Sequence, residues 1–433
     1  MAEREDRRHQ TLSRRTSGDE RSPFEKDRDR ILYSSNFQRL ARVTQVVSPD
    51  DRFLTHNRLT HSLEVSQIGQ SLANTLLCRR DQRALIAEAG GIDPMVVAVA
   101  ALAHDLGHPP FGHVAERELD GLLVAAGLAD GYEGNAQSFR IVTKLAVRYP
   151  EIPGLNLTRA VLNALLKYPW LRGENAARPT KWGTYRSELD DFRWARELAA
   201  GKTNQRCLEA DLMDWADDVA YAVHDMSDFY RAGLIPLDRL ANDEGERDRF
   251  MAAEVQRLNI APGDQDEPRQ ILDGMAQWFP GDGPFAGTRL DRAGLSSFTS
   301  SLIGRYINAV SIIRREDGVP AVSIDPVKQR EVQLLNGLTW YYVINSPALM
   351  SQRFGQRSLI RALFGTLREA AASSHDVHIF PAFYREMLEA AECDKERLRV
   401  VADYIASMSE GQVIEIHQRL NGQSLGSGLE RMQ

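Results

Sequence analysis

From Met95 to Ala103 the chain runs through nine consecutive apolar residues, and the next two are His104 and Asp105. Pro94 suits a first helical turn, and Gly107 with Pro109-Pro110 stops a helix, so this stretch predicts a buried helix over Pro94–Leu106. A His-Asp pair at the end of such a helix is costly unless something compensates it. A divalent cation does so directly, because it takes a neutral imidazole nitrogen and an ionised carboxylate. Adjacent helical residues differ by about 100° in azimuth, so both side chains reach one ion at the helix edge. His108 and His113 follow in or just after the loop, with Glu116 three residues beyond.

Two other stretches offer further ligands. Asn57 to Val65 opens a helix whose apolar residues Leu59, Leu63, Ile68, Leu72 and Leu76 recur near helical spacing, with His61 in the first turn. Taken alone, His61 reads as a capping or core histidine. Glu209 to Tyr230 is a second strong helix, with Leu212, Trp215, Ala216, Val219, Ala220 and Val223 on one face. Asp214, Asp217, Tyr221, Asp225 and Asp228 fall at steps of three or four along it, a stripe of mostly like charge. Such charges need a cation, arginines or solvent, and Trp215 and the surrounding alanines favour burial over solvent. The candidate set is therefore His61, His104, Asp105 and one of Asp217 or Asp218. Two nitrogens and two carboxylates without a thiolate suit Mn²⁺, Fe²⁺, Mg²⁺ or Zn²⁺.

Composition narrows the function classes. The chain has 433 residues, 43% hydrophobic and 26% charged, as in an ordinary globular protein. No apolar run reaches eighteen residues, so no membrane helix or membrane partner is expected. Met1 to Glu20 is charged and lacks the apolar core of a signal peptide, which predicts a cytoplasmic protein. Three distant cysteines, Cys78, Cys207 and Cys393, point to reduced thiols. A net charge of −7 argues against a dedicated nucleic-acid binder but leaves room for a local basic pocket for an anion.

The chain divides into a disordered arm (1–22), a core (23–235) and a C-terminal helical region (236–433) that completes the fold. It reads as mainly α, with a minor β-hairpin expected between Arg42 and Leu54, around Ser48-Pro49-Asp50-Asp51. A helix is expected near Glu25–Leu40, others at Thr158–Leu166 and from Lys328 onward. Residues 171–187 read as a loop over a site or a surface excursion, and residues 243–270 and 280–296 as connecting loops.

The order His61, His104-Asp105, Asp217 resembles that of the HD-domain phosphohydrolases. More narrowly, Arg58-Leu59-Thr60-His61-Ser62-Leu63-Glu64-Val65, His104-Asp105-Leu106-Gly107-His108-Pro109-Pro110-Phe111-Gly112-His113, Glu133-Gly134-Asn135-Ala136-Gln137 and Ala216-Asp217-Asp218-Val219-Ala220-Tyr221 resemble the dGTPase-type deoxynucleoside triphosphate triphosphohydrolases. The resemblance covers roughly residues 23–235, and the C-terminal part more thinly. It implies an HD-domain helical fold for 23–235 and hydrolysis of a dNTP to deoxynucleoside and inorganic triphosphate. The family's fourth metal ligand is an Asp followed by Tyr four and Asp eight residues later, which selects Asp217 over Asp218. By the same resemblance His113 is the catalytic histidine, and Glu116 is placed to orient it. Whether His113 holds the attacking water or protonates the leaving 5′ oxygen stays open. Arg58 and Lys167 match positions that hold triphosphate oxygens, and His108 faces the phosphates. Tyr221 packs on the sugar and crowds out ribonucleotides, Asp225 bonds the 3′ hydroxyl, and Gln45 lies near the sugar or base. The implied cofactor is Mn²⁺ or Mg²⁺, with Fe²⁺, Co²⁺, Ni²⁺ or Zn²⁺ as alternatives. The implied partners are a dNTP, further copies of the chain in a hexamer or tetramer, and single-stranded DNA, which some members bind. Two other readings compete: an HD-domain nucleotidase or phosphodiesterase for monophosphates or cyclic nucleotides, and a nucleotide-sensing or DNA-binding protein with a vestigial site.

Overall fold

A computed structural model of the protein describes residues 2–10, 18–46, 56–199 and 204–424. The apolar run becomes the helix Pro94–Ala103, capped by the Asp93 side chain on Met95 N, with every residue from Val96 to Ala103 buried. It packs against the helices Arg58–Cys78, Leu208–Arg231, Pro23–Leu32 and Arg159–Leu165. Close approach to the first of these depends on Gly69, where a Cβ would meet Val97 Cγ1 at 2.9 Å. The helix ends three residues before the expected Leu106, and His104–Gly107 continues as turns held by Leu106 N–H on Ala103 O and His108 N–H on Asp105 O.

The expected helix near Glu25–Leu40 is broken in two, Pro23–Leu32 and Ser35–Arg39, because Ser34 caps a new start through its hydroxyl on Phe37 N. One continuous apolar core extends from Phe24 to Leu349, so helices on both sides of residue 235 share it. A second core joins the His113–Ala125 helix to the helices Pro347–Ala372, Asp394–Ser407 and Glu410–Leu420. Residues 243–270, expected as loops, are largely helical, whereas 280–288 connect as expected and only 289–296 are helical. Glu244–Leu258 is capped by Asp243, Asp266–Ala276 follows, and Arg289–Ile307 opens on a Thr288/Asp291 capping box.

Among the described residues the minor β component is one antiparallel pair. Val310–Arg314 and Pro320–Ile324 pair antiparallel, with Val310 opposite Ile324 and Arg314 opposite Pro320. Near the expected hairpin, Thr44 and Asn57 form an isolated bridge, and residues 47–55 lie outside the described residues. The start of the chain departs from the expectation of a disordered arm. Ala2–Glu5 is helical, Arg4 pairs with Glu209 at 2.5 Å and Arg7 with Asp27 at 2.6 Å. Both carboxylates are buried, and an unpaired buried charge is costly, so the arginines tie residues 2–10 across the core. Residues 11–17 of that arm lie outside the described residues. No described helix is long and apolar enough to cross a membrane, and the three cysteines are free.

The turn after the central helix is locked from outside. At Gly107 a Cβ would fall 2.2 Å from Gly134 O and 2.3 Å from Ser138 N. Gly107 N–H donates to Ser138 Oγ at 2.9 Å, and its carbonyl accepts from Tyr132 Oη at 2.7 Å. Gly107→Ala is expected to destabilise the protein by about 3 kcal/mol or more, since the colliding atoms are backbone. Urea unfolding followed by circular dichroism measures this.

Candidate active site

Three helices converge on one cavity of about 250 Å³, lined among others by Gln45, Arg58, His61, His104, Asp105, His108, His113, Lys167, Asp217 and Tyr221. Asn57 caps the Arg58–Cys78 helix in a box with Thr60, which places Arg58 and His61 in the first turn. The end of the Pro94–Ala103 helix contributes His104 and Asp105, and the middle of Leu208–Arg231 contributes Asp217. His61 Nε2 lies 3.0 Å from Asp217 Oδ1. His104 Nε2 lies 3.3 Å from Asp105 Oδ1 and 3.5 Å from Asp217 Oδ1. Ligand atoms of His61, His104 and Asp105 all fall within 4.8 Å of one another.

These residues fit a divalent ion. The Ala101 carbonyl, 2.6 Å from His104 Nδ1, can only accept, so Nδ1 carries the proton. That fixes the tautomer and turns the Nε2 lone pair inward, an arrangement usual in metal-ligating histidines. Nε2 is buried without a hydrogen-bond partner, although two carboxylate oxygens stand near it. A lone pair facing two anionic oxygens needs a proton or a cation between them. Without an ion the proton takes that place: burial opposes it, but Asp105 and Asp217 raise His104 to about 9. Burial works against ionisation of Asp217 and Asp105 as well, yet Lys167 and His104 hold the first, and Arg58 and His104 the second, well below the usual carboxylate range.

Arg58 and Lys167 both reach the cavity, and both are ion-paired there. Arg58 Nη1 donates to Asp105 Oδ2 at 2.8 Å. Lys167 Nζ donates to Asp217 Oδ2 at 2.8 Å and approaches Asp214 Oδ1 at 2.6 Å. An ammonium has three donors, so one remains. Arg206 also pairs with Asp214, so cations, not solvent, neutralise this part of the acidic stripe. Asp218 makes no such pair; burial and Asp214 push its carboxyl up to about 7.

At the rim, His113 Nδ1 donates to Glu116 Oε2 at 2.6 Å. Glu116 Oε1 accepts from Gly134 N at 3.1 Å and Lys181 Nζ at 3.2 Å. Burial disfavours its charge, but His113 and Lys181 keep it ionised. His108 Nδ1 lies 2.9 Å from Asp105 Oδ1, and burial together with Arg58 lowers the ring to about 4, so it is neutral. Gln45 faces the cavity with Oε1 buried and unpartnered. Tyr221 lines the cavity, whereas Asp225, buried one turn on along the same helix, does not. Three cavity residues were not predicted as site residues, Asn135, Tyr168 and Lys181. Asn135 stands in a motif that carries no periodic signal. Lys181 lies in an excursion pinned by the buried Trp182 and Tyr185, and loop packing leaves no spacing to read.

An HD domain matches residues 58–222, and a phosphohydrolase-associated domain matches residues 322–419. The chain is 38% identical over 422 residues to a deoxyguanosinetriphosphate triphosphohydrolase-like protein of Streptomyces coelicolor, covering 93% of each chain. The chain belongs to the dGTPase-type branch of the HD-domain superfamily. A protein of the same description from Corynebacterium efficiens is 35% identical over 93% of this chain and 92% of its own. One from Corynebacterium glutamicum is 33% identical over 95% and 94%. The protein is thus an HD-domain phosphohydrolase, and the His/Asp cluster lies inside the matched domain.

Burial, with Asp228, raises the Asp225 carboxyl from 3.8 to about 8. The folded state then holds a proton that the unfolded chain releases, so stability falls as pH rises from about 4 to about 8. In metal-free protein, Asp225→Asn is expected to remove that slope and gain on the wild type at pH 8. Thermal midpoints across this range measure it.

Proposed function

We propose that the protein hydrolyses deoxynucleoside triphosphates to deoxynucleoside and inorganic triphosphate. The observation that carries this reading is the convergence of His61, His104, Asp105 and Asp217 with two cations and a histidine–carboxylate pair on one cavity. The relatives' shared description, deoxyguanosinetriphosphate triphosphohydrolase-like, supports the substrate class.

His61, His104, Asp105 and Asp217 would hold a divalent ion, Mn²⁺ or Mg²⁺ first. When bound, it supplies Lewis-acid polarisation at the α-phosphate. Arg58 and the third donor of Lys167 bind phosphate oxygens, with charge-assisted hydrogen bonds. Glu116 holds Nδ1 of His113 as donor, which leaves Nε2 to exchange a proton with the attacking water or the 5′ oxygen. The new bond joins water oxygen to the α-phosphorus, the bond to the 5′ oxygen breaks, and the deoxynucleoside leaves with a proton. Tyr221 forms the wall beside the sugar and Gln45 offers an acceptor near the sugar or base. Asp225, buried one turn beyond Tyr221 on the same helix, is placed to reach the 3′ hydroxyl only if that wall shifts. Copies of the chain assemble, and Met350 and Phe354, exposed one turn apart on the Pro347–Ala372 helix, support a surface for it.

Purified protein incubated with each dNTP and Mn²⁺ or Mg²⁺ is expected to release intact triphosphate, identified by mass; pyrophosphate or orthophosphate as the first product would sink the reading. His113→Ala is expected to lower kcat about 10²- to 10⁴-fold with a smaller change in KM, the range of a lost acid–base group. Glu116→Gln should fall between this variant and the wild type in steady-state assays.

A further inference from the structure

The two helices that bring His61 and Asp217 together meet again further along. Glu64 lies three residues after His61, and His224 seven after Asp217, spacings that keep a side chain on one helix face. His56, just before the first helix, completes the group. The His56 and His224 rings stack at 4.7 Å with planes 16° apart. Glu64 spans them, Oε1 3.2 Å from His56 Nε2 and Oε2 2.5 Å from His224 Nδ1. One ligand atom from each of the three residues lies within 4.8 Å of the others.

Two features mark more than an ion pair. Asp228 Oδ2 accepts from both the backbone N–H and Nδ1 of His56, at 2.7 Å each. Asp228 holds the proton on Nδ1, so Nε2, 3.2 Å from Glu64 Oε1, is the nitrogen an ion would take in place of a second proton, the usual support of a metal-ligating histidine. In addition, His224 Nδ1 and Glu64 Oε2 are buried atoms with no hydrogen-bond partner, despite their closeness to each other. His224 itself is only 9% exposed. The two atoms approach each other as an ion pair without hydrogen-bond geometry.

We propose that His56, Glu64 and His224 bind a second divalent transition-metal ion, with Asp228 orienting His56. Two imidazoles and one carboxylate suit Zn²⁺, Co²⁺, Fe²⁺ or Mn²⁺, whereas Mg²⁺ favours an all-oxygen shell. None of the three ligands lines the cavity, so the ion braces the Arg58–Cys78 and Leu208–Arg231 helices and does not meet substrate. The competing arrangement is an imidazolium–carboxylate network with no ion.

Cobalt distinguishes them. Full-length protein is stripped with chelator and titrated with Co²⁺, with equivalents counted by elemental analysis and the d–d absorption recorded. Wild type is expected to take two equivalents, His104→Ala one, His56→Gln one, and the double variant none. The thermal midpoint of His104→Ala is expected to rise with Co²⁺, and that of the double variant to stay put. His56, with a side chain 24% exposed, spares the core. One equivalent in wild type with none in His104→Ala overturns this proposal and leaves the active-site reading standing. Two equivalents retained in His56→Gln also overturn it. Two retained in His104→Ala count against the active-site ligands instead.

Discussion

Burial of the His104–Asp105 pair is the constraint on which the rest of the architecture turns. A carboxylate and an imidazole at the end of an apolar helix cannot be left uncompensated. The protein meets this with elements from far apart in the chain: Arg58 on Asp105, Asp217 on His61 and close to His104, and Lys167 on Asp217. Each partner is itself buried or nearly so, so the network is satisfied only when all the helices are docked. The low dielectric that makes it costly also strengthens each contact within it.

The C-terminal region takes part in this arrangement. Glu410 Oε1 accepts from Thr44 N at 2.7 Å and from Phe111 N at 3.1 Å, so one carboxylate holds both walls of the cavity approach. Phe111 sits at φ 66°, which an L-residue holds only when its surroundings over-determine it. Arg39 donates to the carbonyls of Leu106, His108 and Met408. Asp403 binds Gln137 and Arg140. The turn carrying His108 to His113 is therefore shaped as much by residues 403–410 as by its own sequence.

Much of the site was legible because helical spacing and burial both point the same way. His61 falls in a capped first turn, His104-Asp105 ends an apolar run, and the stripe from Asp214 to Asp228 lies on a helix that Trp215 marks as buried. Asp217 and Asp218 were inseparable by composition, and the resemblance chose the one that touches both histidines. Other parts were illegible for physical reasons. The helices at Glu244–Leu258 and Arg289–Ile307 have weak amphipathic patterns and are announced mainly by their caps, Asp243 and Thr288. The hairpin at Val310–Ile324 is local, its strands joined across the turn signal Asp317-Gly318, whereas the docking of residues 2–10 depends on distant partners that no local pattern reveals. Lys181 reaches Glu116 and Glu133 from a loop anchored by aromatic packing, where periodicity does not apply.

Glu410 stands near the end of a 433-residue chain, yet it holds backbone groups near the start and in the first third. During synthesis the earlier segments emerge and condense first. Until the final helix arrives, the Phe111 bend has lost one of its tethers and His113 has no fixed bearing on the cavity. A nascent chain can thus gather its metal-ligand candidates well before Glu410 is present to tether the bend that leads into His113.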